Sequence, residues 1–239
     1  LLATLYFLFI GPMPSIQRAW ITLIIYQAGI VCGKTTSSLN ILGLALATIL
    51  LIDPLAYSTL GFQFSFLATA SILLLYNPFL MLFGYAFEKK KLREVLQRHP
   101  FRQYLYIFLS LLRNSLALTC AVHCAAIPFS LYSFHLFPVI SIIFNLFFPF
   151  FTTFAMVMVI ASFVFHLCIP WLGVKLFHLV DMYTHLLLRL PMNTPAALDI
   201  SLRSSSLPLS LLVCYLCTLF GVGVWLSYKH SIYQKNILI

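Results

Sequence analysis

Long apolar runs, interrupted at short intervals by small clusters of polar residues, set the pattern of the chain. The runs cover residues 1–10, 16–33, 39–52, 60–83, 104–127, 137–168 and 208–228, the first of them cut short. Most approach the roughly 20 residues that a helix needs to cross a hydrocarbon core. They are too continuous for barrel strands, which alternate apolar and polar positions, and lipid leaves an unpaired backbone only the helix or the closed barrel. The pattern predicts an all-α, polytopic helical integral membrane protein with about seven hydrophobic spans. The run 137–168 is long enough for one tilted helix or for two pieces broken around Pro149.

One segment has a different character. In WLGVKLFHLVDMYTHLLLRL, residues 171–190, the side chains of Lys175, His178, Asp181, His185 and Arg189 fall within an arc of about 120° on a helix, leaving leucine, phenylalanine, valine and methionine elsewhere. That is an amphipathic helix, able to lie in the interface, to re-enter or to line a polar path. NTPAALDISLRSSSLP, Asn193 to Pro208, reads as a polar connector.

Composition strengthens the membrane reading. The chain is 62% hydrophobic and 8% charged, with a mean hydropathy of +1.02, values that a soluble domain would have to hide by burying nearly every residue. It opens LLATLYFLFIGP, without methionine or a basic leader, and reads as a fragment or excised domain. Six cysteines lie in or beside apolar runs and read as packing residues, the Cys214-x-x-Cys217 pair included, because zinc would need two further ligands and a polar setting. Net charge is +9, which anionic headgroups or nucleic acid would equally explain.

The charge is concentrated in EKKKLREVLQRHPFR, Glu88 to Arg102, where six Lys/Arg residues stand against two glutamates. The positive-inside rule puts this loop, about 87–103, in the cytoplasm. Counting back, the turn after Asp53 falls on the outer side and Lys34 inside. A cysteine placed at Gln97 in a cysteine-free background should resist an impermeant thiol reagent added to intact cells; ready labelling from outside would invert this topology.

Several candidate chemistries can be weighed from spacing. AGIVCGKT, Ala28 to Thr35, fits a relaxed phosphate-loop pattern, and ILLID, Ile49 to Asp53, imitates the strand that carries a magnesium-binding aspartate. A phosphate loop needs backbone N–H groups between a strand and a helix N-terminus. Here the segment continues a span, so Gly29 and Gly33 read instead as a small-x-x-x-small packing pair. Tyr106, Ser110, Arg113, Ala117, Cys120 and Cys124 share one helical sector. An arginine held there should face protein or water rather than lipid, or else snorkel to the cytoplasmic edge. His178, Asp181 and His185 have spacing compatible with three metal ligands, without visible partners to orient them. His123 and His135 flank IPFSLYSF, which reads as a turn with interfacial histidines.

The most distinctive phrase is DPLAYSTLGFQFSF, Asp53 to Phe66: a span, then aspartate-proline, a turn, and Gly-Phe-Gln-x-Ser-Phe. With GPMPSIQRAW upstream, where Ser15, Arg18 and Ala19 open a span, and IPFSLYSFHLFPVISIIFNLFFPF downstream, where Asn145 and Pro149 share a span, it resembles the competence family of DNA-uptake channels, the ComEC family. The resemblance covers about residues 11–165. It marks Arg18, Asp53, Pro54, Gly61, Phe62, Gln63, Ser65, Asn145 and Pro149 as structural residues of the family motif. It implies passage of single-stranded transforming DNA through the cytoplasmic (inner) membrane, with a separate cytoplasmic motor, an outer DNA receptor and the lipid bilayer as partners; a homo-oligomer is one way to complete such a conduit. No cofactor, metal or catalytic residue is implied. Family members carry OB-like and metallo-β-lactamase-like neighbours that these residues do not contain, and no H-x-H-x-D-H motif occurs here, so nuclease chemistry is not carried over.

Residue chemistry makes the role intelligible. Phosphates cannot enter bare hydrocarbon, so a path needs donors, cations and water, with Arg113, Lys175, His178, His185 and Arg189 the candidates to line it. In the opening phrase, Pro54 ends the incoming helix, Asp53 can cap the turn, Gly61 lets backbones approach, and Gln63 and Ser65 offer interhelical hydrogen bonds. Asn145 with Pro149 suggests either a helix whose freed carbonyl needs a partner, with asparagine as glue between helices, or a broken helix facing a cavity. Two alternatives stand beside the channel: a secondary transporter of a small anion, and a membrane-embedded metalloenzyme using His178, Asp181 and His185.

Overall fold

The computed structural model describes residues 2–11, 13–34, 37–86, 100–193, 201–203 and 207–237; the basic loop proper, 87–99, lies outside them. The helices are α1 (Leu2–Ile10), α2 (Pro14–Val31), α3 (Ser38–Ile52), α4 (Leu60–Ala86), α5 (Pro100–Phe134), α6 (Ile140–Cys168), α7 (Pro170–Met192) and α8 (Leu209–Ile237). A 3-10 turn, Pro54–Ser58, separates α3 from α4, and two three-residue strands, β1 (Leu136–Pro138) and β2 (Ser201–Arg203), pair antiparallel. The fold is helical and membrane-like. The count of about seven spans is not confirmed: among the described residues four helices are long and apolar enough to cross, at Leu60–Gly84, Gln103–Phe134, Ile140–Cys168 and Leu209–Leu226. α3 has 15 residues, about 22 Å of rise against a core of about 30 Å. α2 reaches 18 residues but carries Gln17, Arg18 and Gln27.

The chain divides into two compact units. In the first, Leu1–Tyr132 with Leu207–Ile239, Ile21, Ala45, Ile49 and Phe62 join α2, α3 and α4 in one core cluster, and Leu74, Leu75 and Ala121 pack with Leu219 and Phe220 to join α4, α5 and α8. The second, Ser133–Ser206, is a helical hairpin of α6 and α7 linked through Ile169, with the β1–β2 ribbon. The ribbon corrects the plain connector expected over 193–208; three residues of strand leave too short an alternation to be seen in sequence.

Prolines did not break the spans. α6 is continuous through Pro149, and α5 runs through Pro128 to Phe134, so IPFSLYSF is helix rather than turn. Pro128 has no N–H for the carbonyl of Cys124, and Tyr215 Oη on α8 donates to that carbonyl at 2.9 Å. A neighbouring helix thus satisfies the freed group, the condition under which proline is tolerated in lipid. The chain turns instead at His135, whose φ is +57°. His123, buried within α5, places Nδ1 2.8 Å from the Thr119 carbonyl.

Candidate functional site

The family phrase folds as a capped corner. Pro54 starts the 3-10 turn and Asp53 is its N-cap, with Oδ1 accepting from the Leu55 N–H at 3.0 Å. Gln63 does not reach another helix as expected; its Nε2 donates to the Tyr57 carbonyl at 2.8 Å, bracing the turn against the first residues of α4. Gly61 is no close-approach site either, since a Cβ there would lie 3.7 Å from Pro14 Cγ, an ordinary contact. Phe62 is buried in the α2–α3–α4 core. Asp53→Ala should therefore cost about 1 kcal/mol of local stability through the lost cap, and Asp53→Asn much less because its oxygen still accepts. Thermal unfolding of both purified variants checks this; equal losses would make the charge, not the cap, the important property.

Arg18 and Ser65, far apart in sequence, meet between α2 and α4. Arg18 Nε donates to Ser65 Oγ and Nη1 to Thr69 Oγ1, both at 2.6 Å. Its guanidinium carbon sits 5.8 Å from the Phe66 ring centre, within cation–π range. Ser65 and Thr69 are one helical turn apart and so share a face of α4; Thr69 was missed in sequence, although its i, i+4 relation to Ser65 was the available signal. The half-buried cation is fixed by two neutral hydroxyls and an aromatic face. It borders a groove of about 410 Å³ between α2, α3 and α4.

The phosphate-loop imitation resolves into a helix end. Gly33 has φ +65°, and the N–H groups of Cys32, Gly33 and Lys34 bond to the carbonyls of Ala28, Ile30 and Gly29. This is the glycine-terminated C-cap of α2. A phosphate cradle needs those same N–H groups free at a helix N-terminus. Gly33 is thus a cap rather than half of a packing pair.

Arg113 is 6% exposed in α5, on the face that also carries Ala117 and Ala121, both fully buried, while Ile107, Phe108, Leu111 and Leu118 are exposed. Its Nη2 lies 3.4 Å from Asn114 Oδ1. In α7 the buried positions are Gly173, Val180 and Leu187, a stripe of seven-residue spacing that faces α6. Lys175, His178, Asp181, His185 and Arg189 are all exposed, on the side of α7 away from that stripe. Lys175 Nζ lies 3.9 Å from the Trp171 ring centre, and His185 Nε2 lies 3.7 Å from Asp181 Oδ1. Asn145 and Pro149 are exposed on α6. Among the described residues no group of three or more His, Cys, Asp or Glu is placed to hold a metal ion, so His178, Asp181 and His185 form an exposed stripe rather than a ligand set.

Long apolar helices, a capped corner, an arginine held between two helices and a helical hairpin with one polar face define a helical membrane protein. The sequence model of the competence protein family matches residues 1–229, and the chain belongs to that family. No curated protein and no solved structure matches it.

Proposed function

We propose that this domain is, or helps to form, an inner-membrane channel that conducts single-stranded transforming DNA into the cytoplasm, and that it acts as a conduit rather than an enzyme. The observation that carries the reading is the family match over nearly the whole chain. The cations described above supply a physical rationale. A strand bearing one charge per nucleotide crosses hydrocarbon only along donors and cations, and Arg18 is held between α2 and α4 and Arg113 is buried on α5, while Lys175, His178, His185 and Arg189 line one face of α7. In this reading the channel is a multi-pass protein of the cytoplasmic membrane that works with an outer DNA receptor and a cytoplasmic motor.

Purified protein reconstituted into vesicles should admit a labelled single strand to a compartment where added nuclease cannot reach it. Deleting the gene should abolish natural transformation. Saturable flux of a small anion, with no protection of the strand, would replace the channel by a secondary transporter.

A further inference from the structure

We propose that Arg18 forms a phosphate-binding subsite: the groove between α2, α3 and α4 takes one phosphodiester of a transiting strand against the guanidinium edge left open by Ser65 and Thr69. The strand's identity rests on the conduit reading above; the anion site rests on the geometry.

Three observations converge. Arg18 carries a full charge, yet its hydrogen-bond partners, Ser65 and Thr69, are neutral. The carboxylates among the described residues are engaged elsewhere, Asp53 on the Leu55 N–H and Asp181 beside His185. A half-buried cation with only neutral partners favours an anion beside it, because hydroxyls satisfy N–H geometry without cancelling charge. Second, the guanidinium is immobilised but not used up: it has five N–H donors, and among the described residues Nη2 has no protein acceptor. A fixed fork with open donors suits two phosphate oxygens, and the ordering has already been done by the fold. Third, the open space lies at that group. Arg18, Thr22 and Tyr26 line the groove at four-residue intervals along α2, Ser38 and Thr69 face it from α3 and α4, and none of the lining residues is acidic. Its volume of about 410 Å³ falls within the roughly 300–1,000 Å³ of ligand clefts. Tyr26 stands about 12 Å along α2 from Arg18, an aromatic face on which a base of the same strand can stack.

The test uses the full chain in nanodiscs of phosphatidylcholine and a fluorescent oligo-dT strand. Arg18→Gln should weaken binding about tenfold and flatten the plot of log affinity against log salt by about 0.7, the slope of one phosphate contact on a single strand. Arg18→Lys should restore the slope, and a methylphosphonate strand, which lacks the charge, should not distinguish the variants. On wild-type protein, saturating oligo-dT should protect Arg18 from phenylglyoxal, read by mass spectrometry, which keeps the proposal testable if Arg18→Gln does not fold. A strand that binds and crosses while Arg18 stays fully reactive, or a folded Arg18→Gln with unchanged affinity and slope, would overturn the subsite and leave the channel standing. Protection by phosphatidylglycerol discs alone, with no strand binding, would assign the groove to a lipid headgroup and remove both readings.

Discussion

Gly173→Ala is expected to disrupt the α6–α7 hairpin, while Gly61→Ala, in the most distinctive motif of the chain, is expected to be neutral or mildly stabilising. A Cβ on Gly173 would lie 2.3 Å from His166 Cα and 2.6 Å from His166 N. Both are backbone atoms, so no side-chain rotation relieves the clash. The cause is the brevity of the link: α6 ends at Cys168, α7 begins at Pro170, and Ile169 alone turns the chain. The first turn of α7 therefore rests on the last turn of α6, and only a residue without a Cβ fits. Overpacking a side-chain site costs about 1–3 kcal/mol; a clash with backbone should reach or exceed the upper end and open the hairpin. At Gly61 the added methyl meets only Pro14 at 3.7 and 3.8 Å, and alanine within a helix gains about 0.5–1 kcal/mol over glycine. Thermal unfolding of the two purified variants should separate them clearly. Coincident transitions would mean that the hairpin can shift to absorb the methyl group.

The same pair shows what the sequence could and could not carry. Hydrophobic run length revealed the helical membrane class, because lipid admits few alternatives for an unpaired backbone. Aspartate-proline announced the corner at residues 53–58, since both residues act locally, through a fixed φ and a short cap. Contacts between helices were not legible. Gly173 looks like any glycine in an apolar helix, and nothing near it in sequence indicates that His166 backbone will lie above it. The turn read at IPFSLYSF did not occur, and the reason at Pro128 is the Tyr215 hydroxyl, 91 residues away in the chain; at Pro149, where one helix or two were open, the helix is continuous. The count of about seven spans is not confirmed: four described helices have the length and apolar composition to cross, and α3 is apolar but only 15 residues long. Arg18 and Ser65 each belong to the sequence motif, but their partnership, with Thr69 completing it, follows from how α2 packs on α4.

Removing the hydroxyls that hold Arg18 should be more harmful than removing Arg18 together with them. In Ser65→Ala/Thr69→Val both acceptors of the guanidinium disappear with little change in volume, and a half-buried cation keeps its charge but loses its hydrogen bonds to Ser65 and Thr69. Hydrogen bonds to charged groups contribute about 1.5–3 kcal/mol each, and stranding a charge inside costs about 3–5 kcal/mol. The double variant should therefore lose on the order of 3 kcal/mol, some of it recovered where the long side chain swings out to water. Adding Arg18→Leu removes the stranded charge, and the triple variant should regain most of that loss, since a polar contact replaced on both sides by apolar groups of similar shape is close to neutral. Thermal unfolding of the three proteins in one detergent forms the cycle. A triple variant no more stable than the double would mean that the hydroxyls matter for α4 itself, through the Thr69 bond to the Ser65 carbonyl at 2.8 Å, and not for the cation. Recovery of stability in the triple variant without recovery of oligo-dT binding would separate the packing role of Arg18 from the proposed phosphate contact, because an apolar contact can hold α2 against α4 but cannot meet a phosphate.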